Sequence, residues 1–362
     1  MKAQIKYFLK TVAVTLCFLI VFAMLMQLTS MIFMPKKDKS EDGMIDYISS
    51  GFKGEPDNTL DVFLIGNSDL YRGIIPMEFW KDYGFTSFVC GLPAQTGAAA
   101  LVKLRMALKN QTPKVVVIET DMLLGVENAN TKGRYVKRFL NKTKEIFWEF
   151  DDSNYNDGIG TGISYKFPIV RYHSRWDELT MEDIKEPMNS YNFAGKGHIV
   201  SADTKPYLGG FDYMAKTDER AKMSKRQSKC LKRMLKICKD RNIAVVLLEL
   251  PSASSWSYAK HNTIADIAKE NNIPFVDYNV DNIEQTNFNW ETDTKDGGDH
   301  LNIYGAQKIT RHFGEFLQSN YELANHKEDA AYDHWNSDTK RFENIKIEAF
   351  EKENKKDKSV HN

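Results

Sequence analysis

Two blocks of residues far apart in the chain carry the side chains from which acyl-transfer chemistry can be assembled. The first is Gly66-Asn67-Ser68, directly after the strand-like run Asp61-Val62-Phe63-Leu64-Ile65; the second is Asp299-His300-Leu301-Asn302, just before Gly305-Ala306 at the start of a helical pattern. A serine hydroxyl must lose its proton as it attacks a carbonyl carbon, and histidine is the base whose ordinary pKa suits that task. Taken alone, a serine after a strand more often forms a turn or caps a helix. The histidine block shifts the reading to Ser68 as nucleophile and His300 as base. An acid must then accept a hydrogen bond from the other imidazole nitrogen. Asp296 and Asp299 both stand close in sequence. Adjacent side chains diverge, whereas Gly297-Gly298 lets the chain fold back, which favours Asp296 and leaves Asp299 open. The expected oxyanion donors are the amides of Ser68 and Gly91, aided by Asn67 or Thr120.

Other polar residues carry weaker signals. Arg72, in Tyr71-Arg72-Gly73, is placed to face an anionic substrate. Arg171 and Arg175, one turn apart on a helix, can hold a phosphate or carboxylate. A surface ion pair is the plainer role for each. His173 and His198 have no partner at metal-ligand spacing, so neither a metal nor another cofactor is expected.

A serine after the first strand lies at the carboxyl edge of an open parallel sheet, where such sheets bind ligands. The runs 61–65, 87–90, 115–118, 244–248 and 274–277 read as its strands. Helical patterns lie between them over 98–110, 222–241 and 262–271, and a further one over 304–319 closes the unit. The expectation is a three-layer α/β/α domain, doubly wound, over 59–320. About a hundred residues, 121–220, stand where one short connection would suffice, and they read as an insertion. Its aromatics, among them Phe147, Trp148, Tyr207, Phe211 and Tyr213, either line a pocket for a sugar or acyl chain or, more simply, form the insertion's own core. The end, 321–362, reads as a charged tail with a short helix near 342–352 and a disordered Lys-rich terminus.

The N-terminal run Val12 to Phe33 has no charged side chain. A bilayer span needs about 20 apolar residues and a cleaved signal has a core of only about 7–15, so an uncleaved anchor is expected over 1–36. A polar linker over 37–58 follows. Lysines flank both sides, leaving the positive-inside rule nearly balanced; the short tail before a single anchor favours an exported domain. Lys+Arg and Asp+Glu both number 49, so no global field draws the chain to nucleic acid. Locally, the 222–239 segment is strongly basic. It is either a solvated face or a contact for anionic lipid or polymer. Of four cysteines, Cys230 and Cys238 stand about 12 Å apart along one helix, too far for a disulfide.

These blocks resemble those of the SGNH (GDSL-like) hydrolases, and among them the membrane-anchored DltD-like proteins of Gram-positive envelopes. Gly66-Asn67-Ser68 is similar to the family's Gly-Asp-Ser block, Phe88-Val89-Cys90-Gly91 to its glycine block, and His300-Leu301-Asn302 with Gly305 to its histidine block. Two departures stand out. Ile118-Glu119-Thr120-Asp121 occupies the place of the family's Gly-x-Asn-Asp block, and Gly297 stands where an Asp three before the histidine is usual. The resemblance implies an esterase or acyltransferase working through an acyl-Ser68 intermediate. Its substrate would be an acetyl or D-alanyl ester of an extracellular glycopolymer such as teichoic acid, and its partner a multi-pass membrane O-acyltransferase. The competing class is a non-catalytic envelope scaffold or polymer-binding protein on the same fold.

Overall fold

Five short runs rich in Val, Ile, Leu and Phe form one parallel sheet. They are β1 (Val62–Gly66), β2 (Ser87–Gly91), β3 (Val115–Glu119), β4 (Ala244–Glu249) and β5 (Phe275–Asp277), in the order β2-β1-β3-β4-β5. The structure is a computed structural model that describes residues 2–33, 49–124, 167, 169–177, 179, 181–185, 193–280 and 283–360. The chain divides into two units, 1–37 with 131–190, and 38–130 with 191–362.

The second unit contains the sheet. Its central strands are buried on both faces, which explains their near-continuous apolar composition. The register aligns Gly66 with Gly91, Glu119 with Leu248, and Glu249 with Asp277, so the carboxyl ends of all strands lie at one edge. Alternate residues face opposite layers. Phe63, Ile65, Val116, Ile118, Val245 and Leu247 share one core with Leu101, Leu104, Leu231, Met234 and Ile264. These come from the helices Gly97–Asn110, Lys225–Asp240 and Tyr258–Asn271. The opposite layer holds Ser68–Gly73, Pro76–Tyr83 and Ile303–Asn320, which pack on one another through contacts such as Phe79 with Phe313. This strand order with helices in both outer layers is the doubly wound architecture expected, and it sets ligand chemistry at the carboxyl edge.

Three boundaries differ from the sequence reading. Residues 49–58 do not behave as a linker: Phe52 is buried edge-on against Phe63 and Phe88. Residues 193–221 belong to the sheet unit rather than to a separate insertion. Their backbone is bonded into it, with Val89 N donating to Lys196 O and Ile199 N to Tyr71 O, and Phe193 and Val200 are buried. The supposed tail contains a helix, Asp333–Val360, far longer than expected. Sparse apolar residues on a polar helix, Trp335 and Phe342, seat it against the domain, with the Trp335 ring 5.4 Å from that of Trp80 and tilted 36° to it.

A buried ion cluster secures that helix. Lys196 is wholly inaccessible, and its ammonium lies 2.6 Å from Glu55 and 2.7 Å from Asp338, 4.6 Å above the Trp335 ring. Removing the cation would leave two carboxylates facing each other out of water. Lys196→Ala is therefore expected to destabilise the second unit by about 3–5 kcal/mol, read by denaturant unfolding of the full chain. A loss below about 1 kcal/mol would show that the cluster does not hold the helix.

In the first unit, the helix Lys2–Phe33 has a 30-residue segment, Gln4–Phe33, with mean hydropathy 2.4, long and apolar enough to cross a membrane. Its end is engaged by short helical turns. Ser30 Oγ accepts from Ile169 N at 3.2 Å, and Arg175 donates to Phe33 O at 2.6 Å while pairing with Asp183 at 3.6 Å. Arg175 thus covers carbonyls left open at the helix terminus.

Candidate active site

His300 sits on a hairpin that the fold braces from three sides. Residues Thr294 and Leu301 pair antiparallel, Lys295 N donates to His300 O, and Asn302 N donates to Asp293 O. The tip is turned by Gly297 and Gly298 at φ +88° and +101°, values in the left-handed region that glycine adopts without strain. Asn302 caps the Ile303–Asn320 helix, accepting from Tyr304 N and Gly305 N, while its amide donates to Thr292 O and Thr204 Oγ1. Gly305 is required there because a Cβ would stand 2.4 Å from Asp293 O. From the loop after β4, Ser252 Oγ donates to Asp299 O and Ser254 N to Gly298 O.

The hairpin closes Asp296 on the imidazole. One carboxylate oxygen accepts from His300 N at 2.8 Å and the other lies 2.6 Å from Nδ1. Asp299 Oδ2 lies 3.4 Å from the same nitrogen, an ion-pair distance rather than a good hydrogen bond. Partial burial opposes ionisation of Asp296, but the bonds from the His300 ring and backbone hold its carboxyl down at about 2. Its carboxylate therefore persists throughout the neutral range. The ring's other nitrogen, Nε2, lies 3.9 Å from Oδ1 of Asp69, the residue after Ser68. Asp296, Asp299 and His300 present donor atoms within 4.8 Å of one another. With Nδ1 donating its proton to Asp296, the grouping has the form of an oriented imidazole.

Ser68 begins the helix Ser68–Gly73 immediately past the end of β1. It is half-buried. Two close approaches fix the turn. A Cβ on Gly66 would stand 2.5 Å from that of Glu119, and one on Gly91 would stand 2.9 Å from Asn67 O. Gly91 thus lies beside the Ser68 turn.

The side-chain donors are placed otherwise than the sequence suggested. Asn67 caps the helix, its Oδ1 accepting from Asp69 N at 2.8 Å while its amide donates to Asp121 at 3.1 Å. Thr120 is fully buried, and its hydroxyl donates to Glu249 at 2.5 Å. Neither is directed at an oxyanion. Arg72 donates to Ile199 O and Val200 O, so it ties the 193–200 segment to the Ser68–Gly73 helix. Arg175 lies at the end of the Lys2–Phe33 helix, and the side chain of Arg171 lies outside the described residues.

A row of carboxyl groups that the sequence reading did not single out lies beneath the edge. Glu119 accepts from Asn67 N at 3.0 Å and Asp121 N at 2.6 Å; Lys260 pairs with Asp121 at 2.7 Å. Burial, reinforced by Asp121, pushes Glu119 up to about 8, and burial with Glu119 beside it raises Glu249 well above the carboxylate range. The only local signal was acidic residues ending apolar strands.

Burial pushes the Cys90 thiol up to about 11 and the Cys238 thiol up to about 12. The four cysteines are free. His198 is buried, which lowers it to about 3, and its Nδ1 faces Ile74 O at 3.0 Å. Beside the hairpin, Tyr207, Phe211, Tyr213 and Trp290 form a ring cluster with centroids 5.1–6.4 Å apart. Tyr207 lies under Gly298, and Phe211 is 56% exposed. Of the insertion's other aromatics, Phe147 and Trp148 lie outside the described residues, and Phe193 is core.

No protein-family model matches the chain, and no curated protein sequence does. Among solved structures, it is similar to a candidate acylhydrolase from Bacteroides fragilis, with 16% identity, 78% of this chain and 98% of that one covered, and a TM-score of 0.35. A candidate lipolytic protein of the G-D-S-L family from Desulfitobacterium hafniense gives 13% identity over 72% and 100% of the two chains, TM-score 0.37. A candidate GDSL-like lipase from Parabacteroides merdae gives 11% over 72% and 96%, TM-score 0.31. At these values the likenesses transfer no residue's role.

Proposed function

We propose that the chain is a membrane-anchored serine esterase or acyltransferase that acts through an acyl-Ser68 intermediate. One observation carries this reading: His300 is gripped by Asp296 through both ring and backbone, and its remaining nitrogen faces the residue next to Ser68 at the carboxyl edge. In that role Ser68 Oγ attacks the ester carbonyl, His300 takes its proton and returns it to the departing alcohol, and Asp296 fixes the tautomer and stabilises the imidazolium. The amides of Ser68 and Gly91 would face the oxyanion. Water or a polymer hydroxyl then attacks the acyl group, with His300 again as base.

The substrate we favour is an O-acetyl or O-D-alanyl group on an extracellular glycopolymer, with Tyr207, Phe211 and Trp290 as a platform on which sugar rings stack. Lys225, Arg226, Lys229, Lys232, Arg233, Lys236 and Lys239 lie on the exposed side of their helix, which suits an anionic polymer. The apolar helix would tether the domain beside a multi-pass membrane O-acyltransferase that supplies acyl groups. The SGNH-like order of sequence blocks supports the same chemistry.

A non-catalytic scaffold on this fold is the second reading, favoured by the engagement of Asn67 and Thr120 with carboxyl groups. A fluorophosphonate probe separates the two. The enzyme reading expects covalent labelling of the full chain that maps to Ser68 and is lost in Ser68→Ala. Absence of labelling in folded protein would favour the scaffold.

A further inference from the structure

We propose that Asp69 is a positioning residue for the Ser68 chemistry, its buried carboxyl group standing against Nε2 of His300 and fixing where that nitrogen points. This rests on the Ser68–His300 reading above and extends it to a residue that neither the sequence pattern nor the triad requires.

The observations are geometric. Asp69 is 5% exposed, and its Oδ1 is buried without a hydrogen-bond partner. That atom is 3.9 Å from His300 Nε2, the nitrogen left over once Nδ1 is engaged by Asp296. A buried polar oxygen with no partner is destabilising, so its retention beside the imidazole calls for an explanation. The backbone of Asp69 is fixed as well, since its N–H donates to the Asn67 cap. The imidazole thus stands between two carboxyl groups, a half-buried one that orients it and a buried one on the Ser68 side.

The two acids differ in charge. Burial first, then Glu119 and Asp121 from the end of β3 and Asp299 from the hairpin, raises Asp69 well above the carboxylate range, against a hydrogen bond from Asn67. Lys260, a nearby cation, is paired with Asp121. As a neutral acid, Asp69 presents a carbonyl oxygen toward Nε2 once that nitrogen is protonated, without capturing its proton. As an anion it would form an ion pair with the imidazolium and draw the ring away from Ser68 and the departing alcohol. The neutral form is the working one, and rate is lost as pH rises through the raised pKa.

The test compares Asp69→Asn, neutral and nearly isosteric, with Asp69→Ala in the detergent-solubilised full chain. With histidine-selective 15N labelling, and His300→Gln to assign the signal, the wild-type His300 ring should show a second inflection where Asp69 ionises. Asp69→Asn should show one step. With a small acyl ester, Asp69→Asn should retain kcat within a few-fold and lose the alkaline decline, whereas Asp69→Ala should lower kcat on the order of 10²-fold with little change in KM. Identical His300 titrations in wild type and Asp69→Asn would overturn the inference, as would equal losses of kcat in both variants. The ring titration needs no turnover, so an unreactive Ser68 would defeat the esterase reading while leaving the contact between Asp69 and His300 separately decided.

Discussion

Ser68→Ala and His300→Ala are each expected to reduce turnover of a small acyl ester to the residual rate given by binding and backbone donors alone. Members of a nucleophile–base unit act together, so either loss should cost on the order of 10⁴–10⁶-fold in kcat, and the double variant should be scarcely worse than either single one. Both side chains lie at the edge of the sheet, outside the core, so circular dichroism and unfolding midpoints should stay near wild type. Single-turnover kinetics with purified full-length protein checks this. Near wild-type rates in either variant would remove Ser68 and His300 from the chemistry.

The second large effect concerns the two aspartates of the hairpin. Asp296→Asn keeps the shape but presents the imidazole with an amide that can select the wrong tautomer, and a loss of about 10⁴-fold in kcat is expected with binding largely intact. Asp299→Asn should cost far less, because its carboxylate is 3.4 Å from Nδ1, whereas Asp296 is at 2.6 Å and also accepts from His300 N. The pH dependence follows from the depressed pKa of Asp296. A carboxylate held at about 2 remains ionised down to that value, so the stability contributed by its pairing is complete above the ordinary Asp pKa of about 3.9 and is lost as pH falls toward 2. Acylation rates for the two variants, measured with one ester from pH 5 to 8, distinguish them; a reversal of the two effects would assign the role to Asp299.

Much of this site was legible because its determinants are local. Strands such as Val115–Glu119 announce themselves by unbroken apolar runs, and the Gly297-Gly298 pair indicated that Asp296 could turn back on His300. What escaped the sequence depends on distant pairings. Asn67 is in place for an oxyanion donor, but Asp121 from the end of β3 captures its amide, and Glu249 from β4 captures Thr120. The C-terminal helix was read too short because most of its residues are polar, while its attachment rests on Trp335, Phe342 and the contact of Asp338 with Lys196. Residue type likewise gave no indication that Asp69 is buried.

The account stands most directly on the covalent intermediate. The full chain, mixed with an activated acyl ester, quenched in acid within the first turnover and digested, should yield the peptide containing Ser68 with its mass increased by one acyl group. That adduct should be absent from Ser68→Ala and should form far more slowly in His300→Ala. Turnover of the ester with no acyl mass on that peptide, or with the mass on another residue, would contradict it.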